Sequence, residues 1–425
     1  MAVRLQFIPR KEPPDLLDLP WATPLLEWDH PRLVQMAKGP SRHVVRFVSD
    51  GERVYALKET VQADAEREYA MLRLLAEENL PVVEAVGVVT GRQSAAGDPL
   101  AAVLITRYLD YALPYGYLFG IEGGYGLGRK LVDAAVVLLV RVHVEGFFWG
   151  DCSLANLLFR RDAGALMAYL VDAETTQRHH PLPGGMRSAD VERARENVAG
   201  GLFDLEAAGL LSPDVDVLAL ADLLEERYTL LWDELTASLE VDMHQRHLIE
   251  GRIRRLNHLG FDVGELIVEQ EAGANRLRVT PTLVEEGHHS RELRRLTGLE
   301  VQENQARRLL NDIAAFGAHL ARVEGQPSPQ AIVAARWIAE VYEPVVARIP
   351  PELVGRREPA ELFHELLEHR YYLSEAAGRE VDNATAIRSY IDSILRYRRQ
   401  ERVIFDDHDD SIFDDHEVGI FDDEE

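Results

Sequence analysis

One cysteine, Cys152, stands in a chain of 425 residues. No intramolecular disulfide can form, so a reducing compartment is permitted. Long apolar runs are missing as well. The longest purely aliphatic stretch, Ala134–Val140, falls far short of the ~20 residues that cross a bilayer. The opening MAVRLQFIPRKEPPDLLDLP has none of the apolar core of a signal peptide, which makes a cytoplasmic location the expectation. Positive charge is scarce: 46 Lys and Arg stand against 72 Asp and Glu, a net charge of −26. That balance argues against a general binder of nucleic acid or anionic membrane, because both need positive surface.

A good glycine-rich phosphate loop is also lacking. Lys38-Gly39-Pro40-Ser41 offers one glycine, so phosphate cradling there would fall to backbone N–H groups and the Ser41 hydroxyl. Gly123-Gly124-Tyr125-Gly126-Leu127-Gly128-Arg129-Lys130 imitates a P-loop but breaks its rule. Arg129 separates Lys130 from the last glycine, Leu131 follows where Ser or Thr is required, and no clear strand precedes. It reads as a flexible entry to a helix over 129–144, which is apolar nearly all round and therefore predicted to be buried.

What is present centres on GFFWGDCSLANLLFRRDAGALMAYLVDAE, Gly146–Glu174. Asp151 is followed five positions later by Asn156, and the apolar run 166–171 ends on Asp172. Phosphoryl transfer needs this set: one carboxylate to take the proton of an attacking hydroxyl, with an amide oxygen and a second carboxylate to hold Mg²⁺ on the phosphates. Mg²⁺ prefers hard oxygen ligands and usually takes one or two protein carboxylates. Upstream, the strand-like runs HVVRFVSD and RVYALKE flank Asp50-Gly51, a hairpin signal. Lys58 closes the second run as V-Y-A-L-K, close to the V-A-I-K in which a strand lysine holds the α- and β-phosphates. A helix over 64–78 follows, with Ala65, Tyr69, Leu72 and Leu75 at helical spacing. Glu68 lies where it would reach back to Lys58; Glu66 points elsewhere.

Lys58, Glu68, Asp151, Asn156 and Asp172 occur in the order of the protein-kinase-like superfamily. The N-terminal half resembles bacterial lipopolysaccharide-core kinases, and more broadly the aminoglycoside and choline kinases, which share a G-D-x-x-x-x-N loop and often carry an acid where Glu174 stands. To about residue 400 the chain resembles an uncharacterised bacterial family known as domain of unknown function 4032, through FFWGDCSLANLLFRRDAGA, YLVDAET, LTGLEVQENQARRLLND and EPAELFHELLEHR. The resemblance implies ATP and Mg²⁺ as cofactors and a hinge at Thr106-Arg107-Tyr108-Leu109, with Arg107 and Tyr108 meeting the adenine edge. Departures from eukaryotic protein kinases point away from protein substrates. Trp149-Gly150 replaces His-Arg, Ser153 replaces a phosphate-contacting lysine, and Ala173 replaces the Phe of D-F-G. Without that Arg an activation-loop phosphate has no partner.

The expected architecture is α+β. A Pro-rich arm covers 1–30. A two-lobed protein-kinase-like domain follows, with its N-lobe over 31–110 and its C-lobe over 111–241. Next come a mainly α-helical domain over 242–400 and a disordered acidic tail over 401–425. The polar stretch TTQRHHPLPGGMRSAD reads as a loop near the active site, and 266–270 with 276–284 as a hairpin. In the tail, eleven acids and no Lys or Arg lie between Ile404 and Glu425, and Ile-Phe-Asp-Asp repeats at 404, 412 and 420. That pattern suits either solvation or multivalent docking on a protein partner.

Three weaker motifs read as structure. Cys152 reads as a small buried hydrophobe. His364 and His369 are five apart rather than the four of a helical zinc motif. The Arg-rich helices around Thr297-Gly298 read as solvated faces rather than a DNA reader. The function expected is phosphorylation of a hydroxyl on a small-molecule or glycolipid acceptor. The alternatives are a nucleotide-binding pseudokinase acting as a regulatory scaffold, and a helical half that reads nucleic acid or a partner with the kinase as accessory.

Overall fold

The computed structural model describes residues 4–7, 16–36, 42–51, 53–122, 125–236, 239–242, 263–270, 276–283, 287–324, 326, 328–379 and 381–402. The candidate loop 38–41, including Ser41, and the acidic tail with its repeats lie outside them.

The N-terminal half is built on a six-stranded antiparallel sheet. In chain order its elements are β1 (Arg4–Phe7), β2 (Leu33–Val34), β3 (Val45–Ser49), β4 (Val54–Thr60), α1 (Gln62–Glu77), β5 (Ala85–Thr90) and β6 (Ala102–Arg107). The strand order is β1-β5-β6-β4-β3-β2. The Asp50-Gly51 signal delivers a hairpin in which Ser49 pairs with Val54 and Val45 with Lys58. Both faces of the sheet are covered, so β6 reads as a nearly continuous apolar run. Ala102 and Leu104 share a core with Ala65, Leu72 and Leu75 of α1. Val103 and Ile105 face the other way, onto Leu16, Trp21, Leu25 and Trp28. The segment read as an extended arm thus supplies an edge strand and a buried aromatic cover.

The next elements are β7 (Leu113–Pro114), α2 (Tyr115–Glu122), α3 (Tyr125–Val144), β8 (Phe147–Phe148), β9 (Leu157–Asp162), β10 (Ala165–Leu170), β11 (Gln177–Arg178), α4 (Gly184–Ala207) and α5 (Val217–Thr236). α3 is buried, as its composition predicts, but it begins at Tyr125. Gly126 and Gly128 therefore lie inside its first turns rather than in a flexible entry. A Cβ on Gly128 would stand 2.5 Å from Leu220 Cδ1, so this glycine lets α5 approach closely. The polar stretch after Asp172 is also shorter than expected. Gln177 and Arg178 pair with Phe148 and Phe147, and Gly184 already starts α4 behind Pro183. Packing of Val191, Ala194, Val198 and Leu202 into the core overrides the loop signal of the two glycines. The sheet-bearing lobe and the α3–α5 lobe are stitched at Leu170, whose N–H donates to Pro81 O at 2.9 Å and whose carbonyl accepts from Val83 N at 3.0 Å.

Beyond α5 come β12 (Leu239–Asp242), β13 (Val263–Gln270) and β14 (Arg276–Leu283), in the order β12-β14-β13. The expected hairpin is present, with Leu266 opposite Pro281. Helices follow: α6 (His288–Thr297), α7 (Glu303–Glu324), α8 (Gln330–Trp337), α9 (Glu343–Val346), α10 (Pro359–Ala377) and α11 (Asn383–Ser393). They enclose a separate core around Trp337, Phe363 and Tyr390. The fold is therefore α+β, a sheet-bearing lobe and an α3–α5 lobe followed by a helical half. Among the described residues no helix is long and apolar enough to cross a membrane.

This helical half grips the β9–β10 hairpin. Arg160 pairs with Glu358, and the Tyr169 hydroxyl meets the Gln302 amide. Asp162 accepts from the backbone N–H groups of Asn304 and Gln305 at 3.1 and 2.8 Å. Those are first-turn amides of α7, so Asp162 caps that helix from another part of the chain. In return Glu361 of α10 accepts from Ala163 N and Gly164 N at 2.7 and 3.0 Å. Ala163 and Gly164 form the hairpin turn with φ of 55° and 83°, the primed geometry that tight hairpins favour.

Candidate active site

The period of two in β4 decides where Lys58 points. Tyr55 and Leu57 enter the outer cluster, so Lys58 faces the opposite side, toward α1. On α1, Ala65, Glu68, Tyr69, Leu72 and Leu75 form the buried stripe. Glu68 is thus carried inward on an otherwise apolar face, while Glu66 is exposed and bonded to Gln62. Lys58 Nζ lies 3.0 Å from Glu68 Oε2 and 2.7 Å from Asp172 Oδ2. Glu174 approaches the same ammonium at 3.7 Å and is held by Arg42 at 3.1 Å and His43 at 3.6 Å. The Glu174 N–H donates to Asp172 Oδ1.

Three carboxylates around one ammonium leave an excess of negative charge. Burial, followed by repulsion from Asp172, pushes Glu68 up to about 7 against the pull of Lys58. Burial acts to lower Lys58, but Glu68 and Asp172 outweigh it, and the ammonium is held above its ordinary value. Oxygens of Glu68, Asp172 and Glu174 lie within 4.8 Å of one another, the one such grouping of potential metal ligands among the described residues. Hard oxygens in a space of excess negative charge fit a divalent cation such as Mg²⁺.

Asp151 lies at the end of β8, past Trp149 and Gly150. Gly150 has φ of 84°, a left-handed conformation that favours glycine, and a Cβ there would press on Phe148 at 3.0 Å. A short 3-10 turn, Leu154–Asn156, follows, with Ser153 Oγ accepting from Asn156 N. That turn folds Asn156 back onto Asp151: Asn156 Nδ2 donates to Asp151 Oδ2 and to Asp151 O, each at 3.0 Å. With the amide nitrogen so committed, Oδ1 is the ligand atom Asn156 has to offer. The β9–β10 hairpin closes with Val171 N donating to Asn156 O at 3.0 Å, which brings the chain back beside Asn156 just before Asp172. The five motif residues therefore form two adjoining groups, Lys58–Glu68–Asp172 and Asp151–Asn156.

The remaining sequence candidates stand differently. Tyr108 is buried against Phe47 and donates its N–H to Val54 O, while the Arg107 N–H goes to Glu84 O. Both hinge N–H groups are thus spent within the protein, and an adenine edge cannot be read by these two donors. Cys152 is buried, and its thiol is pushed far up by burial. His364 meets Arg308 while His369 meets Ser389, so the two imidazoles do not share a ligand. Thr297-Gly298 does separate two helices, but Arg294 and Arg295 pair with Glu300 and Glu292.

The polar face of α4 escaped the sequence reading. Asp190, Arg193 and Asn197 stand at i, i+3 and i+7, on one side of the helix. Asp190 is fully buried and accepts from Trp149 N at 2.6 Å, Gly150 N at 2.9 Å and His143 Nε2 at 3.0 Å. His143 Nδ1 meets the Tyr228 hydroxyl at 2.6 Å, and burial lowers the histidine below its usual range. A neutral ring that donates from Nε2 and accepts at Nδ1 satisfies both contacts. Arg193 donates to Gly150 O at 2.8 Å. Asn197 Nδ2 donates to Asp151 Oδ1 at 3.0 Å and Cys152 O at 3.2 Å. Both Asp151 oxygens are thereby aimed by amides, one from each side. The signal in the sequence was D-x-x-R-x-x-x-N threaded through Val191, Ala194 and Val198.

Comparison with known proteins gives three findings. Residues 230–395 match the family model described as Domain of unknown function (DUF4032). Among curated proteins none matches the chain. Among solved structures, the chain is similar to WaaP in complex with acyl carrier protein, at 17% identity and a TM-score of 0.33, over 53% of this chain and 89% of that one. It is also similar to the yeast RNA Pol II CTD kinase CTDK-1 complex, at 12% identity and a TM-score of 0.27, over 36% of this chain and 49% of that one.

Proposed function

We propose that the protein is an ATP- and Mg²⁺-dependent phosphotransferase acting on a hydroxyl of a non-protein acceptor, a small molecule or glycolipid. The observation that carries this reading is the meeting of Lys58, Glu68 and Asp172 beside an Asp151 clamped by two amides. Asp151 accepts the proton of the acceptor hydroxyl. Asn156 and Asn197 each occupy one of its oxygens from the flank, so its lone pairs stay aimed and no rotamer search precedes proton transfer. Lys58, held by Glu68, contacts the phosphates, and its departure from Asp172 on nucleotide binding would free that carboxylate. Asp172 and Asn156, with Glu174 beside them, would hold Mg²⁺, which when bound supplies charge neutralisation for the transferring phosphoryl group. The absence of His-Arg before Asp151 and of the D-F-G phenylalanine supports an acceptor other than protein and activity without loop phosphorylation.

Asp151→Asn is the decisive change, because it removes the base with the least change of shape: the remaining oxygen can still accept from Asn156, and the new NH₂ falls on the Asn197 side. Mg·ATP binding measured by calorimetry should match wild type while turnover falls ~10²-fold or more. Asp172→Ala should weaken both. If wild type binds Mg·ATP, yields no phosphorylated product in cell extract, and Asp151→Asn fully complements a deletion strain, the protein is a nucleotide-binding scaffold instead.

A further inference from the structure

A cleft at the seam between the C-lobe and the helical half has a charge unlike the rest of this acidic chain. Its volume is about 140 Å³, and its wall includes Arg161, Arg357, Arg398 and Arg399 with Tyr397 and one acid, Glu401. Counting the adjoining Glu365, four guanidinium groups face two carboxylates.

Arg161 and Arg357 are held in place by carboxylates rather than loosely assembled. The Arg357 side chain is 3% exposed and lies 3.0 Å from Glu365 and 2.6 Å from Glu401. Arg161 also pairs with Glu401 at 2.6 Å. The segment bearing Arg398 and Arg399 is pinned from below. Arg356 Nη1 donates to the carbonyl oxygens of Arg396 and Arg398 at 2.5 and 2.7 Å, and Glu401 N and Arg402 N donate to Gly355 O. Arg398 Nε is buried without a hydrogen-bond partner, and its guanidinium is 3.9 Å from Glu365. The Arg398 side chain is partly exposed, but its unsatisfied Nε–H is a cost that an anion reaching it from the cleft would relieve.

We propose that this cleft binds a phosphate dianion, either free or as the phosphate of a small monoester. Arginine forks match the several acceptors of a tetrahedral oxyanion, and a dianion balances the local excess of two positive charges. The volume lies well below the roughly 300 Å³ where cavities for larger organic ligands begin, so a small oxyanion fits and a nucleotide does not. The bound anion competes with Glu401 for Arg161. Arg161 belongs to β9, which begins directly after Asn156, and its partner β10 leads to Asp172. Phosphate in the cleft therefore pulls on the hairpin that carries both proposed Mg²⁺ ligands, making it an effector of the active site. The effector role rests on the phosphotransferase reading; the binding does not.

The test is titration calorimetry on the full chain at constant ionic strength, with inorganic phosphate and, separately, glycerol 3-phosphate. Saturable binding of either probe is expected, and the tighter one tells free phosphate from a monoester. Arg399 is exposed, so Arg399→Gln should fold normally and weaken binding about tenfold, the loss of one charge-assisted hydrogen bond. Glu401→Gln should tighten binding by removing the competing carboxylate, and Lys58→Met should leave it unchanged. No heat with either probe overturns the proposal. So does a loss confined to Lys58→Met, which would put the anion in the nucleotide cleft. Binding seen only after residues 403–425 are removed also overturns it, because the acidic tail would then be the occupant. If phosphate binds as described but no turnover can be found to modulate, the phosphotransferase reading has failed and the anion site stands.

Discussion

Replacing Asp190 with alanine should unfasten the loop that carries Asp151, and the size of the effect can be worked from three contacts. Asp190 takes hydrogen bonds from Trp149 N, Gly150 N and His143 Nε2 at 2.6–3.0 Å at a site with no exposure to solvent. Alanine offers none of the three an acceptor. Each stranded buried donor costs about 1–3 kcal/mol, which sums to about 6 kcal/mol. Relief of the buried carboxylate's own desolvation offsets a part, and single removals from buried charged networks commonly cost 3–5 kcal/mol. The expected loss is therefore about 4 kcal/mol, a large fraction of the 5–15 kcal/mol that holds a typical domain. Asp190→Asn keeps one acceptor but turns an NH₂ toward a donor, so about 2–3 kcal/mol is expected. Urea unfolding gives the stability change. Amide hydrogen exchange gives its location, and the Trp149 and Gly150 amides should lose protection ahead of the rest of the C-lobe. An alanine variant within about 1 kcal/mol of wild type, or one with those two amides as protected as before, would refute the reasoning.

Two further outcomes follow from the same geometry. Asn197→Ala removes one of the two amides on Asp151 but touches no nucleotide contact, so turnover should fall about tenfold, the scale of one hydrogen bond, with Mg·ATP affinity unchanged by calorimetry. Asp162 is 2% exposed, and burial, working against the N–H groups of Gln305 and Asn304, pushes it up to about 6. Because its folded value lies above the ordinary carboxylate range, its contribution to stability is complete below about pH 4 and is lost as pH rises through 6. Urea unfolding from pH 4.5 to 7 should show wild type losing about 2 kcal/mol relative to Asp162→Asn, and parallel curves would sink this assignment.

Much of the site could be read from local patterns. Lys58 follows from the V-Y-A-L-K pattern that closes a strand-like run, Glu68 from its place on the helix that follows, and Asp151, Asn156 and Asp172 from spacing along one continuous segment. What escaped depends on partners distant in sequence. Asp190 lies 40 residues from Gly150, whose amide it holds, and Gly184-Gly185 made its surroundings look like a loop. Nothing near Asp162 says that it caps a helix beginning at Glu303. The glycines of Gly123–Gly128 misled in the other direction. Gly128 serves helix packing, and only the position of Leu220 shows why a side chain has no room there. That the N–H groups of Arg107 and Tyr108 are already taken was not legible either, because their acceptors, Glu84 O just before β5 and Val54 O on β4, are distant in sequence.

The grip of the helical half on the β9–β10 hairpin bears on how such chains are inherited. The matched family segment, residues 230–395, begins inside α5, whose Leu231 and Leu235 belong to the core of the preceding lobe. It also holds Glu361, two of whose hydrogen bonds come from Ala163 and Gly164, outside the segment. A recombination event that joined this segment to a foreign neighbour would bury a carboxylate without those donors and separate Leu231 and Leu235 from the core they pack in. The unit on which selection acts is therefore longer than the unit that sequence comparison marks out, and the hairpin residues 160–169 should drift in step with positions 302–361.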